Sequence, residues 1–417
     1  MRKMNRKRLA GASVLMASMA APSALAQKWE TSAELFLRAQ QSDNPRLELT
    51  GAEDTLASIQ TVRLGLDRDT RTLTLDLDLE AEFVQFSQSD ILDDEQNQRG
   101  SLDIRYQSSP RTTYKLYTRY GHDSYSLRQA FEPDVIDPDL PAPDPVLADS
   151  LSQTRIDRWI ALPSVEIAVG KRSQLELAAE HRAASFEEGN PFFLIDYEST
   201  QYTGQWKYAL SSEGYDAIAV RLGYTDYTSD DAVDNRGDQP RFVAGLDATG
   251  IPLVITYRQA ISENLYIEAK AGAVHLEFDE DGRDNETESL LGLRLATQDN
   301  TKRTTYSVTY AEHIQPSSGS SLVKTRDFSI VYDYKWTRKS RLGFTASAYQ
   351  NEQIGLAQAV ETDYYFVGPY YDWEATRNLK FRFDYQFRRI ERDGVSLIAN
   401  NSADENAFAI GVTYKFW

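Results

Sequence analysis

The sequence predicts an all-β protein: a single transmembrane antiparallel up-and-down β-barrel of about 18 strands, with about 16 as the alternative. Three observations lead to this prediction. Strands alternate apolar with charged residues, short polar turns recur along the chain, and an export signal precedes a segment without cysteine. These observations define an architecture and leave the substrate open.

The clearest alternation covers residues 72–83, TLTLDLDLEAEF. Its leucines, Ala81 and Phe83 fall on one face of an extended strand, and its threonines and acids on the other, because successive side chains point to opposite sides. A soluble sandwich would bury the apolar face, whereas a membrane barrel would turn it toward lipid. The two ends of the chain favour the barrel.

The first 26 residues have the pattern of a secretory signal peptide. Five basic residues precede a short apolar segment at residues 9–21, and Ala24-Leu25-Ala26 offers a cleavage site before Gln27. We therefore predict a signal peptide at residues 1–26 and one barrel domain at residues 27–417. Removal of the five positive charges would change the formal charge from -18 to -23.

The final strand alternates in the same way as residues 72–83. Its apolar residues are Phe408, Ile410, Val412, Tyr414 and Phe416. This pattern resembles the closing strand of a bacterial outer-membrane barrel, although Trp417 adds one residue beyond the phase of the apolar face.

Short polar turns punctuate the chain and give the strand count. They centre near residues 69, 110, 172, 213, 263, 301, 339 and 377. Longer connections alternate with them, at residues 41–56, 87–99, 123–153, 186–194, 228–240, 279–287, 314–325, 351–361 and 391–406. Eight turns join sixteen strands, and one strand at each end, at 29–40 and 407–417, makes eighteen.

Prolines and tryptophans add detail to the predicted strands. Pro163, Pro252 and Pro369 fall inside strands, and because a proline removes a ladder donor, we expect a β-bulge at each. Trp336 and Trp373 lie at strand ends beside short turns, which indicates an aromatic belt at one membrane interface.

Charged residues of both signs fall on the face opposite the apolar one. An arginine at the midplane of a membrane would cost about 2–4 kcal/mol in a barrel, so we predict that this face lines a polar lumen. The candidate lumen-lining residues are Arg63, Asp76, Asp78, Glu80, Glu82, Arg119, Arg182, Arg221, Arg294, Arg382 and Asp384. Such charges suit either a conducting pore or a stiffened wall, and the sequence leaves both open.

The acidic loop at residues 277–288 has part of the spacing of a calcium-binding EF-hand loop. The candidate ligands are Glu277, Asp279, Asp281 and Glu288. Strands rather than helices flank the loop, so a solvated hairpin loop is the alternative. We expect no cofactor.

Enzymatic signatures are absent from the sequence. The four histidines form no metal-binding pair, and there is no G-x-S-x-G elbow. His122, Asp123 and Ser124 form the one local cluster of catalytic residue types, but neighbouring residues of a strand point to opposite faces. We therefore expect that the protein is not an enzyme, and an outer-membrane hydrolase is the alternative.

The export signal, the hairpins with SPR- and TRN-like turns, the tyrosine-rich strands and the Tyr-Lys-Phe end resemble β-barrel porin families of Gram-negative bacteria. Within these families the resemblance is to barrels encoded with exopolysaccharide export systems. It implies a bacterial outer-membrane location and contact with outer-membrane lipids and the assembly machinery. The resemblance assigns no functional role to any particular residue of this chain.

The resemblance implies a channel for passive diffusion of small polar solutes or for polysaccharide-associated export. A non-conducting structural or surface-interaction barrel is the alternative, and no nucleic-acid partner is expected. Because acidic charge is concentrated in the loops, we expect an open pore that prefers cations.

Overall fold

The computed structural model describes residues 29–44, 54–87, 94–125, 154–187, 195–211, 216–230, 232–234, 241–243, 245–262, 264–279, 284–297, 303–317, 321–354, 361–393 and 402–416. The predicted signal peptide at residues 1–26 and Trp417 lie outside the described residues. Within the described ranges, no helix has the length and apolarity needed to cross a membrane.

The regular elements of the described chain are β-strands. They are β1 (Glu30–Ser42), β2 (Thr55–Asp69), β3 (Leu73–Ser87), β4 (Glu95–Ser109), β5 (Thr112–Tyr125), β6 (Thr154–Ala168), β7 (Ser173–Phe186), β8 (Tyr197–Ala209), β9 (Ala217–Ser229), β10 (Ala232–Asp234), β11 (Arg241–Val243), β12 (Asp247–Ser262), β13 (Leu265–Phe278), β14 (Glu286–Thr297), β15 (Thr304–Ser317), β16 (Ser321–Lys335), β17 (Ser340–Ile354), β18 (Glu361–Glu374), β19 (Leu379–Asp393) and β20 (Ser402–Lys415).

Eighteen of these strands form one antiparallel sheet that closes on itself, because β1 pairs with both β2 and β20. The prediction of an all-β barrel with 18 strands is confirmed. The small β10–β11 hairpin lies outside the sheet, in the connection between β9 and β12. Eight short connections gather at one end of the barrel, the short-turn rim, and most long connections gather at the other end, the long-loop rim.

The outer face of the barrel is apolar. Leu222, Leu253 and Ile410 are exposed there to 57%, 49% and 55%, although a soluble protein would bury most such side chains. Trp336 and Trp373 are exposed at the short-turn rim, and further exposed aromatic residues lie toward the long-loop rim, namely Phe83, Tyr120, Tyr224 and Tyr365. Leucine, isoleucine and valine side chains fill the band between these two belts.

The bulges expected at the three prolines are absent, so that prediction is wrong. Beside Pro163, Pro252 and Pro369 the ladder on one side loses two residue pairs, but the register is the same before and after the interruption. The backbone N–H that each proline lacks therefore leaves a local gap in the hydrogen-bond ladder and does not shift the register. The register shifts of the described sheet lie instead at Gln107/Ser109 and Ala260/Ser262, both close to short turns.

The hairpin formed by β15 and β16 leaves the wall of the barrel. β14 and β15 share only five residue pairs, and the ladder stops at Gly292 and Ala311. Beyond that point β15 approaches β8 and β9, from which at least three strands separate it in the sheet. Residues 312–317 and 321–326, here called the inner hairpin, therefore fold across the lumen near the long-loop rim. The long connection predicted at residues 314–325 is wrong, because both strands extend through most of it.

Candidate functional site: the barrel lumen

The lumen has two different halves. Toward the long-loop rim the inner-face side chains are buried, including Ile59, Val84, Ile156 and Phe366, each at most 2% exposed. Toward the short-turn rim, inner-face residues such as Asp76, Asp78 and Arg341 remain exposed although they point into the barrel. The lumen is thus filled in its long-loop half and accessible in its short-turn half.

The predicted residues of β2 and β3 share the inner face because they alternate with the apolar residues of the outer face. Arg63 Nε lies 2.6 Å from Glu80 Oε2. The guanidinium of Arg99 joins the same carboxylate to the next strand, with Nη1 3.0 Å from Glu80 Oε1. Farther up the strand, Glu82 accepts a 2.9 Å hydrogen bond from Asn97 Nδ2. These contacts cross from β2 to β4.

Three carboxylates lie side by side nearer the short-turn rim. Asp76 is in register with Asp67 on one neighbouring strand and with Asp103 on the other. Asp78 lies next to this row on β3. Like charges directly opposite one another destabilise a sheet. This part of the wall is strongly acidic.

The predicted arginines on β5, β7 and β9 also lie on the inner face. Arg119 is in register with Ser101 and Ile160. Arg182 forms an ion pair with Glu180 of its own strand. Arg221 lies between Gln205 and Val254 in register. The structure does not bring these three arginines together.

Arg382 and Asp384 lie where the barrel closes. Arg382 Nε donates a 2.8 Å hydrogen bond to Asp372 Oδ1. Arg38 Nη2 reaches across β20 to Asp384 Oδ1 at 2.7 Å. The reach is possible because β20 presents small residues to the lumen there, Ala409 and Gly411. The ion pairs therefore connect β1 to β18 and β19 through the closing strand.

The inner hairpin packs on the inner wall through apolar side chains. Ile314 of β15 and Leu322 of β16 join a buried cluster with Tyr227, Leu276 and Leu290, which come from the inner faces of β9, β13 and β14. Ile354 of β17 belongs to the same cluster. Side chains that would face lipid if the hairpin stayed in the wall are used instead to fill the lumen.

Charged side chains close the seam where β15 leaves β14. Lys324 Nζ lies 3.0 Å from Glu288 Oε2 and 3.7 Å from Glu312 Oε2. The backbone N–H of Leu291 donates a 3.0 Å hydrogen bond to Glu312 Oε2 in place of a ladder partner. Arg326 Nη2 continues the network to Glu352 Oε2 at 2.9 Å. Sequence patterning did not single out Lys324, Glu312 or Arg326, because their position depends on the hairpin leaving the wall.

The calcium candidates are only partly described. Glu288 pairs with Lys324, and Glu277 Oε1 lies 3.7 Å from His275 Nε2. Asp279 follows β13, and Asp281 lies outside the described residues. Among the residues that are described, no three histidine or carboxylate side chains form a group that could hold a metal ion.

His122 and Asp123 point to opposite faces of β5. His122 Nδ1 lies 2.7 Å from Asp157 Oδ1 on the outer face, whereas Asp123 Oδ1 accepts a 2.9 Å hydrogen bond from Arg99 Nε on the inner face. The side chain of Ser124 lies outside the described residues.

Arg294 lines an inner-face cavity between β14 and β17 that the sequence did not reveal as a site. Arg303, Asp333, Lys335 and Arg341 also line this cavity, at the short-turn rim. Arg303, Lys335 and Arg341 were not among the candidates, since they belong to turn regions where the alternation of residues fades.

The closed antiparallel sheet, the apolar outer face between aromatic belts and the charged lumen define a β-barrel of the outer-membrane type. No family model and no curated protein matches the sequence. Solved structures do match. OccAB4 of Acinetobacter baumannii matches at 12% identity, 94% coverage of this chain, 99% of the other and a TM-score of 0.47. OpdK of Pseudomonas aeruginosa, solved with vanillate, matches at 11% identity, 93% and 99% coverage and a TM-score of 0.47.

The ferric enterobactin receptor PfeA of Pseudomonas aeruginosa matches at 10% identity, 93% coverage of this chain, 80% of the other and a TM-score of 0.44. Similarity at these levels carries no inference about the substrate or activity of this chain.

Proposed function

We propose that the protein is a channel of the bacterial outer membrane whose route is closed by the inner hairpin and opens when the hairpin moves. The short-turn rim would face the periplasm and the long-loop rim the outside, as in other barrels of this type. The export signal predicted at residues 1–26 and the two aromatic belts support this location.

The observation that carries the proposal is the fold of the hairpin. An 18-stranded barrel encloses more space than its wall side chains can fill, so it holds either an aqueous channel or a plug. Here two strands of the wall supply the plug. A barrel with a purely structural role would have no need to interrupt its own ladder in this way.

The charged, accessible half of the lumen supports a polar solute. Small polar solutes and a polysaccharide chain both fit this description, and the resemblance to exopolysaccharide-locus barrels supports the second. We propose transport without catalysis and without a resident cofactor.

Conductance in planar lipid bilayers tests the proposal, with a variant that lacks the end of the hairpin. His313 and Thr325 are in-register partners, so residues 314–324 can be replaced by an Asn-Gly turn without a change of register. We expect rare openings for the wild-type protein and a sustained, larger conductance for the shortened variant. If both folded proteins fail to conduct, the non-conducting structural barrel is the better account.

A further inference from the structure

The cavity between β14 and β17 is strongly basic, although the chain as a whole carries a formal charge of -18. Four of its lining residues are cationic, namely Arg294, Arg303, Lys335 and Arg341, and one, Asp333, is a carboxylate. The difference, four minus one, is a local charge of +3. Thr305 and Ser307 add hydroxyl groups to the same lining. We call this site the basic cavity.

Backbone carbonyl oxygens and one carboxylate hold two cations of the basic cavity, Arg303 and Arg341. Arg303 donates hydrogen bonds to two backbone carbonyl oxygens, those of Lys335 at 3.2 Å and Trp336 at 3.4 Å. Arg341 Nη1 is 3.9 Å from Asp333 Oδ1, and that same carboxylate oxygen also accepts a hydrogen bond from the hydroxyl of Tyr370. Among the described residues that line the cavity, one is a carboxylate and four are cations.

The guanidinium of Arg294 has few polar contacts among the described residues. Its Nε is buried and has no hydrogen-bond partner among the described residues. Its guanidinium carbon lies 5.9 Å from the centre of the Tyr266 ring. Glu268 is its neighbour in register, but the nearest cation to that carboxylate is Lys270, at 3.5 Å. A planar guanidinium that lines a cavity suits bidentate binding of an oxyanion.

The opposite wall of the lumen has the opposite charge. The row of Asp67, Asp76 and Asp103 centres on β3, which is eight strands from β15 in one direction around the barrel and ten in the other. A charge separation across a low-dielectric cylinder directs anions toward the basic side. The acidic loops predicted cation preference from net charge, whereas the distribution of charge inside the lumen favours an anion at this position.

We propose that the basic cavity binds the oxyanion group, carboxylate or phosphate, of a solute that passes through the lumen. The proposal rests on the proposed channel function, since the lumen is the route by which such a solute reaches the cavity. Arg294 and Arg341 bind the oxyanion, and Arg303 and Lys335 supply positive charge around it.

Calorimetric titration of the purified barrel in detergent tests the site with three probes: trigalacturonate, inorganic phosphate and neutral maltotriose. We expect trigalacturonate, phosphate or both to bind, and which of them binds identifies the anion. Binding should weaken in high salt, because exposed charges are screened. Maltotriose should not bind. Binding of maltotriose as tight as that of trigalacturonate, or no binding of either anion, would overturn the proposal.

Matched variants separate the site from general electrostatics. Arg294→Gln and Arg341→Gln should each weaken anion binding about tenfold. Arg63→Gln removes the same charge from the acidic wall, at a side chain that is 50% exposed, and should leave the affinity unchanged. Equal losses in all three variants would mean that the lumen attracts anions without a site. Heat-modifiable migration on gels verifies that each variant is folded.

The two proposals can fail separately. If the barrel binds anions but never conducts, the proposed anion site is supported and the proposed channel function is rejected. If the barrel conducts but binds neither anion, the channel function is supported and the anion site is rejected.

Discussion

Lys324 Nζ lies 3.0 Å from Glu288 Oε2, although β15 separates the two strands that carry these residues in the sheet. The contact exists because the inner hairpin folds back over the inner face of β14. The lysine side chain is only 6% exposed and touches a second carboxylate, that of Glu312, which is 5% exposed. An ion pair this buried in a wall seam holds the hairpin in place at a specific position.

Lys324→Met should release the inner hairpin. The substitution removes the cation that contacts both Glu288 and the buried Glu312, while Arg326 Nε stays 3.9 Å from Glu312 Oε1. Breaking a buried pair typically costs about 3–5 kcal/mol. We expect more frequent channel openings in planar bilayers. Lys415→Met is the matched control, because that lysine pairs with Glu34 at 2.7 Å near the short-turn rim and is 54% exposed. Equal open probabilities in the two variants would argue against the seam as the gate.

A cysteine pair should trap the open hairpin. Gly292 pairs with Ala311, so Leu290 would face His313 if the ladder continued. The sequence has no cysteine, which makes Leu290→Cys with His313→Cys the one pair able to form a disulfide. We expect slow oxidation that raises conductance and is reversed by reductant.

The control for this experiment is a pair that the sheet already holds in register. Ala273→Cys with Ser289→Cys joins β13 to β14. It should oxidise faster and leave conductance unchanged. A Leu290/His313 cysteine pair that never cross-links would show that the hairpin does not return to the wall.

The two faces of β3 should differ in their tolerance of charge. Leu77→Arg places a cation on the apolar outer face, which costs about 2–4 kcal/mol near the membrane midplane. Asp78→Asn removes a charge from the accessible lumen beside other carboxylates and should cost little. Urea unfolding in liposomes, followed by tryptophan fluorescence, compares the two. Similar losses of stability would contradict the assignment of the faces.

The pair of Arg388 and Glu405 should stabilise the closure of the barrel. Both side chains are almost completely buried, at 1% and 0% exposure, and Glu405 Oε1 also accepts a hydrogen bond from Ser42 of β1. Glu405→Gln should lower the free energy of unfolding by about 3–5 kcal/mol.

Asp404→Asn, one residue earlier, is the control for Glu405→Gln. Its carboxylate is 50% exposed and lies 3.7 Å from Arg389, and exposed pairs contribute about 0–1 kcal/mol. If the Glu405→Gln protein is as stable as the control, the pair of Arg388 and Glu405 does not stabilise the closure of the barrel.

The strand count and the sharing of faces were predictable because they follow from local alternation. Leu75 and Asp76 point to opposite sides in any extended strand, and turns such as that after Asp69 are marked by polar residues. The expected bulge at Pro163 was wrong because the neighbouring strands absorb a missing donor as a gap without a change of register. Ile160 and Leu162 consequently face the lumen, so an apolar residue does not by itself indicate lipid.

The inner hairpin could not be predicted from alternation. Ile314 and Leu322 have the phase of wall residues, and that phase is the same whether the strands stay in the wall or fold across the lumen. Which occurs depends on apolar surfaces supplied by β9, β13 and β14, which are remote in sequence. The basic cavity is hidden for a related reason, because Arg294 of β14 and Arg341 of β17 line one cavity only once the strands between them are paired.

The short ladder between β14 and β15 gives the cylinder a line of mechanical weakness. β15 and β16 are joined by fourteen residue pairs, whereas β14 and β15 share five. A barrel pulled at one strand by an atomic force microscope tip unravels hairpin by hairpin, and the tear should start where the fewest hydrogen bonds resist shear. The β15–β16 hairpin should therefore come away as a unit and at lower force than the others. The wall should therefore be weakest beside the hairpin that closes the route of the proposed channel.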